Sequence, residues 1–155
     1  MEYKLKIWID ADSCPLLVRN HLIKTGARLS IPVTFVANKP LPDFEGEMVI
    51  TDQTKDSADN YIFEHTTAGT LTSPSPDLVI TKDIVFADRL VTKGVHTIND
   101  RGTEFTKEII KERLSERNFN LQLVNLGLSK PHHEGYDKKK FEKFCNCLDR
   151  VINKY

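Results

Sequence analysis

The chain has 155 residues, which is enough for one domain with a substantial core. Its 22 Lys and Arg residues balance 22 Asp and Glu residues, so no overall charge directs it to nucleic acid or to a membrane. The sequence shows no signal-like start, no apolar run near the roughly 18–20 residues of a membrane span, and only three cysteines. These features predict a cytoplasmic protein with reduced thiols and no membrane partner.

Short apolar strands alternate with helical patterns along the chain. Leu5, Ile7 and Ile9 alternate with polar or amphipathic neighbours, which is typical of a strand. The predicted strands cover residues 5–9, 32–37, 48–50, 78–81 and 95–98. The predicted helices cover residues 15–26, 57–67, 84–91, 104–118 and 137–153, with Gly26 as the stop of the first, Thr103 as the cap of the fourth, and an irregular connection at 120–135.

This alternation predicts an α/β protein in which a mainly parallel sheet is covered by helices on both faces. We find no internal repeat and no composition change that would mark a boundary, so residues 1–155 are expected to form a single domain. In such a fold ligands bind at the carboxyl ends of the strands.

Two aspartates end the first strand, in the segment IWIDADSCP at residues 7–15. If the strand geometry persists, Asp10 and Asp12 point the same way, roughly 7 Å apart. Such carboxylates repel each other unless a cation or its waters lie between them, and Mg²⁺ and Mn²⁺ prefer oxygen ligands. An N-cap of the following helix explains Asp12 or Ser13 equally well. It explains Asp10, still on the strand, less well.

Further acids follow two later strands. Asp56 and Asp59 lie three residues apart at a helix start, where both can share one face. Asp83 follows the fourth strand, also at a helix start. Taken singly, each of these acids is explained by capping or by the helix dipole. Jointly they converge at one edge of a parallel sheet, which favours a Mg²⁺ or Mn²⁺ site for phosphoryl transfer.

Several segments resemble the bacterial YaiI/YqxD family, an uncharacterised family placed among PIN-like domains. They are residues 7–15, 33–38 (VTFVAN), 56–62 (DSADNYI), 78–87 (LVITKDIVFA), 99–102 (NDRG) and 137–150. Where the family usually carries Pro, this chain has Val85 and Asp100. Ser13 and Lys82 replace residues that are usually Ala.

The resemblance implies a PIN-like three-layer α/β/α sandwich and a metal-dependent ribonuclease. Asp10, Asp59 and Asp83 would form the catalytic acidic centre, supported as metal ligands by Asp12 and Asp56. A homodimer is the assembly that the resemblance implies.

Three polar residues are candidates for contacting a nucleic-acid substrate: Asn38, Lys82 and Arg101. A basic cluster at Lys138, Lys139, Lys140 and Lys143 is by default a solvated helix face. If it borders the acidic cleft, it would follow a nucleic-acid backbone. Cys14 is interpreted as a packed thiol near the site. Cys145 and Cys147 lie roughly 200° apart on a helix, which disfavours a shared zinc site with His132 and His133.

Two other functions stay open. The Asp10-x-Asp12 pair resembles the first motif of haloacid-dehalogenase-like phosphatases. Asp10 would then be the nucleophile, Asp12 the general acid/base, Thr81 the phosphate-binding hydroxyl and Asp83 a metal ligand. The second alternative is a non-catalytic PIN-like module that binds RNA or protein. No Gly-rich phosphate loop is present, so a nucleoside triphosphatase is disfavoured.

Overall fold

A computed structural model describes residues 4–41, 44, 46–130 and 135–155. The strands are β1 (Lys6–Asp10), β2 (Val33–Ala37), β3 (Glu47–Ile50), β4 (Asp77–Ile80) and β5 (His96–Ile98). The helices are α1 (Leu16–Leu29), α2 (Ser57–His65), α3 (Ile84–Lys93), α4 (Lys107–Asn125) and α5 (Lys138–Ile152). A short 3-10 turn, Ala11–Ser13, joins β1 to α1.

The five strands form one sheet in the order β3-β2-β1-β4-β5, and every pair is parallel. The chain therefore builds outward from β1 through β2 to β3, then crosses to the other side of β1 to add β4 and β5. The central strand β1 is buried over four of its five residues. The prediction of a parallel α/β sheet is confirmed.

Alternate side chains of the sheet enter two separate cores, as the two-residue period of a strand requires. Ile7, Ile9 and Phe35 pack with α1 and α5. Trp8, Val36 and Val79 pack with α2 and α3. Helix α4 rests on α3 through a third, smaller cluster around Ile110. No helix in the described part of the chain is long and apolar enough to cross a membrane.

Helix α1 does not stop at Gly26, as the sequence predicted, but continues to Leu29 and ends at Ser30 in a left-handed conformation. Gly26 is instead required for close packing between α1 and β2. A Cβ atom at this position would lie 2.6 Å from Cγ2 of Val33. The glycine is therefore a contact residue inside the helix rather than its terminator.

Helix α4 begins and ends later than predicted. Its cap is Thr106, whose hydroxyl accepts the backbone N–H of Ile109, and not Thr103. The helix runs through residues predicted as irregular and stops just before Gly127, which has a positive φ of 73°. Residues 119–125 lack Gly and Pro, so nothing in them interrupts the helix. His132 and His133 lie outside the described residues.

Candidate acidic cleft

The site lies where the sheet order reverses direction. Strands β1 and β4 are neighbours, but their connections leave towards opposite sides of the sheet, which opens a crevice outside their carboxyl ends. Asp10 is the last residue of β1, and residues 81–83 directly follow β4. The topology therefore brings these two acidic segments to the same crevice.

Asp10 is a buried carboxylate, with only 9% of its surface exposed. Its Oδ2 accepts the hydroxyl of Thr81 at 2.9 Å, across the β1–β4 pair. Burial raises the pKa of Asp10 to about 6, and the negative charges of Asp12 and Asp83 act in the same direction. Keeping this acid ionised at the buried end of the strand costs the fold free energy.

Asp12 is an exposed residue of the 3-10 turn and does not cap α1, whose N-cap position is Pro15. Its Oδ1 instead accepts the backbone N–H of Asn38, which follows β2, at 3.3 Å. Asp12 thus ties the end of β2 to the turn after β1. Both residues line the crevice.

Asp56 and Asp59 enter the crevice from the start of α2. Asp56 holds the N-cap position in a left-handed conformation, with φ 62°, but its side chain makes no capping hydrogen bond. Asp59 is half-buried and has no hydrogen-bond partner among the described residues. Burial, followed by the charges of Asp10 and Asp83, raises the pKa of Asp59 to about 7.

Asp83 does cap a helix, as its alternative interpretation predicted. Its Oδ1 accepts the backbone N–H groups of Val85 and Phe86 at 3.0 and 3.2 Å. Its own N–H donates to the hydroxyl of Thr81 at 3.1 Å. The second oxygen, Oδ2, accepts no hydrogen bond from the described part of the protein. Capping and a site role are therefore compatible in the same carboxylate.

The crevice has a volume of about 490 Å³. All five predicted acids line it, together with Asn38 and Lys82 from the predicted substrate contacts; Lys55 and Ser57, which the sequence did not single out, complete the wall. As the side chains stand, no three His, Cys, Asp or Glu residues of the described segments are arranged to hold one metal ion. We call this crevice the acidic cleft.

Arg101 is not among the described residues that line the acidic cleft. It lies one loop further along the same edge, where its Nε is 3.9 Å from Oδ1 of Asp100. Asp100 is only 6% exposed and its Oδ1 has no hydrogen-bond partner in the described structure. Asp100 was not predicted as a site residue, although it lies two residues after β5 and so follows the same rule that singled out Asp10 and Asp83.

Asp100 and Asp10 both line a second, small cavity of about 10 Å³. Cys14, Thr81 and Lys82 complete its wall with two apolar strand residues. Burial raises the pKa of the Cys14 thiol to about 12, so it is a protonated, packed side chain at neutral pH. Cys145 and Cys147 are also free thiols.

These features define a parallel α/β protein whose acidic cleft lies at the reversal of its strand order. A family model matches residues 8–154 and is described as the uncharacterised YaiI/YqxD family. The chain belongs to this family.

Close relatives span nearly the whole chain. A UPF0178 protein of Treponema denticola is 44% identical over 151 residues, covering 97% of this chain and 93% of the relative. A UPF0178 protein of Psychromonas ingrahamii is 38% identical over 153 residues, covering 97% of both chains. One of Treponema pallidum is 38% identical over 153 residues, covering 97% of this chain and 82% of the relative. No solved structure gives a significant match.

Proposed function

We propose that this protein is a Mg²⁺- or Mn²⁺-dependent phosphodiesterase that cleaves RNA. The observation that carries the proposal is that buried Asp10 and half-buried Asp59, which has no hydrogen-bond partner among the described residues, line one cleft. Each carboxylate raises the free energy of the other when both are ionised. A divalent cation is the ligand that relieves this repulsion, and hard oxygen donors suit Mg²⁺ and Mn²⁺.

The donor set fits a hydrated cation. Mg²⁺ usually keeps several waters and binds through one or two carboxylates, so it does not require three side chains in direct reach. Asp10, Asp59 and Asp83 would hold the ion, and Asp12 and Asp56 would support it through its waters. When bound, such an ion would polarise a phosphodiester and stabilise the leaving oxygen.

The other residues of the cleft have separate roles in this proposal. Thr81 is a positioning residue, because its hydroxyl donates to Asp10 while accepting from the N–H of Asp83. Asn38 and Lys82 would contact the phosphate backbone from opposite sides of Asp10. Lys55, on the loop before α2, offers a second cation at the cleft wall.

The direct test is cleavage of single-stranded RNA by the purified protein with and without Mn²⁺. We expect Mn²⁺-dependent cleavage that falls by at least about 100-fold in Asp10→Asn, because an amide does not replace a charged ligand. Asp88→Asn is the matched control, since Asp88 is an exposed acid of α3 that is not among the described residues of the cleft wall. Circular dichroism would verify that both variants fold.

Three results would overturn the proposal. Cleavage that is unchanged in Asp10→Asn would come from a contaminating nuclease. Absence of binding heat at millimolar Mn²⁺ would remove the metal-dependent mechanism and leave a non-catalytic binding module. Turnover of a phosphomonoester through a phospho-aspartate at Asp10 would instead favour the phosphatase alternative.

A further inference from the structure

The amino-terminal end of α5 lies at the same edge of the sheet as the acidic cleft. The hydroxyl of Tyr136 donates to the backbone oxygen of Asp100 at 2.7 Å. Gly102 lies against α5, because a Cβ atom there would come within 2.5 Å of the Lys143 carbonyl oxygen. At the other end of α5, the hydroxyl of Tyr155 donates to Ser75, before β4, at 2.8 Å. Helix α5 therefore runs from the carboxyl edge of the sheet to its amino edge.

Three exposed lysines occupy this end of α5: Lys138, Lys139 and Lys143, which we call the α5 lysine surface. None of them forms a salt bridge with any of the described residues. Lys138 and Lys139 lie in the first turn of α5, where the positive end of the helix dipole repels them, so these two lysines do not stabilise the helix. The helix is already capped by Asp137, whose Oδ1 accepts the N–H of Lys140 at 2.9 Å.

The loop after β5 contacts α5 at Lys143 through Gly102, and its Asp100 shares the small cavity with Asp10 and Lys82 of the acidic cleft. Asp100, on this loop, lies within the electrostatic range of Arg101, of Lys82 in the cleft wall and of Lys140 on α5. The Asp100 carboxylate thus lies near basic side chains of both the cleft wall and α5. The cleft volume of about 490 Å³ lies in the ordinary range of small-ligand sites, so a longer strand has to continue over neighbouring surface.

From this arrangement we infer that the α5 lysine surface binds the phosphate backbone of a single RNA strand whose scissile phosphate lies in the acidic cleft. The inference rests on the proposed function for the identity of the ligand. It adds the direction in which the strand leaves the cleft, across the loop after β5. It also assigns Lys138, Lys139 and Lys143 to affinity rather than to the chemical step.

The experiment measures binding of a labelled RNA of about 12 nucleotides, within the roughly 4–16 nucleotides that single-strand binding modules occupy. EDTA prevents cleavage, and salt is varied from about 50 to 200 mM. The test variant carries Lys138→Gln, Lys139→Gln and Lys143→Gln. The matched control carries Lys4→Gln, Lys24→Gln and Arg28→Gln, which removes the same charge beside the opposite, amino-terminal edge of the sheet.

We expect the affinity of the test variant to fall on the order of tenfold. The slope of log affinity against log salt should become shallower by about 2, since each lost phosphate contact contributes roughly 0.7. The control variant should keep the wild-type slope. Equal slopes in the test variant and the wild type would overturn the inference, as would equal losses in the test and control variants.

Failure of this inference is distinguishable from failure of the proposed function. If the wild-type protein binds RNA through the three lysines but does not cleave it with Mn²⁺, the binding surface is supported and the nuclease proposal is overturned. If the wild-type protein cleaves RNA but the test variant keeps full affinity and an unchanged salt slope, the nuclease proposal is supported and the binding surface is overturned.

Discussion

At the scale of single residues, the acids of the cleft are held in environments that oppose their ionisation. Asp10 is almost completely buried, and among the described residues its carboxylate has one hydrogen-bond partner, Thr81. Asp59 has none from the described residues. A protein under selection only for stability would place Asn or Ser at these positions, since an unpaired buried charge is costly. The cost is explained if the carboxylates are kept for a ligand.

The pKa of Asp10 predicts a specific pH dependence of stability. Because the folded pKa, about 6, lies above the ordinary value of 3.8, ionisation favours the unfolded chain as the pH rises between these values. Above pH 6 the full penalty, about 2–3 kcal/mol, applies. In EDTA at pH 8, Asp10→Asn should therefore be more stable than the wild type by up to about 2 kcal/mol, and the difference should disappear near pH 4.

Urea unfolding across this pH range measures the difference. Asp88→Asn, at an exposed position, should show no such trend. Equal or lower stability of Asp10→Asn at pH 8 would mean that Thr81 and the cleft already compensate the charge of Asp10.

At the scale of elements, the helix starts decide which acids are available to a ligand. One carboxylate oxygen of Asp83 accepts backbone hydrogen bonds from the first turn of α3. Asp56 stands at the start of α2 without capping it, and Asp12 binds the backbone after β2 instead of capping α1. Identical sequence contexts, an acid just before a helix, thus have three different structural outcomes.

Two substitutions at Asp83 separate its structural role from its proposed site role. Asp83→Ala should lose about 1 kcal/mol of stability together with RNA cleavage, because both the cap and the carboxylate disappear. Asp83→Ser keeps a capping oxygen, so its stability should stay within about 0.5 kcal/mol of the wild type while cleavage is lost. Thermal unfolding and the Mn²⁺ assay measure the two effects. Full cleavage by Asp83→Ser would restrict Asp83 to a capping role.

At the scale of the whole molecule, the loop after β5 contacts α5 and contributes Asp100 to the small cavity that Asp10 and Lys82 also line. Gly102 makes this junction possible, since its φ is 84° and its Cα faces the backbone of Lys143. Tyr136 adds a hydrogen bond to the same loop. Gly102 and Tyr136 therefore fix the amino-terminal end of α5, and with it the α5 lysine surface, against this loop.

Gly102→Ala should therefore destabilise the protein by more than a left-handed alanine alone, which costs about 1–2 kcal/mol. Gly127→Ala is the matched control: its φ is also positive, at 73°, but nothing lies within 4 Å of the added Cβ atom. We expect Gly102→Ala to lose at least about 1 kcal/mol more than Gly127→Ala in chemical unfolding, because overpacking adds its own cost. Equal losses of stability in Gly102→Ala and Gly127→Ala would indicate that α5 moves to accommodate the added Cβ atom at no cost.

The sequence alone determined the elements and the class of fold. Period-two and period-3.6 apolar patterns are local, so each strand could be predicted from a few neighbouring residues. The same locality explains the errors. Gly26 resembles a helix stop until its contact with Val33 is known, and Thr103 resembles a cap until Thr106 is seen to make the bond. Both decisions depend on residues outside the local pattern.

Only the tertiary structure decided how the acids are arranged. The sequence placed Asp10, Asp59 and Asp83 after strands, but it could not specify the order β3-β2-β1-β4-β5 that brings them to one crevice. It also could not show that Asp100 is buried beside Asp10, or that Arg101 lies one loop away. Burial and hydrogen bonding are properties of packed neighbours distant in the chain. The sequence shows where the aspartates are, whereas the free energy of ionising each one depends on its burial and neighbours in the fold.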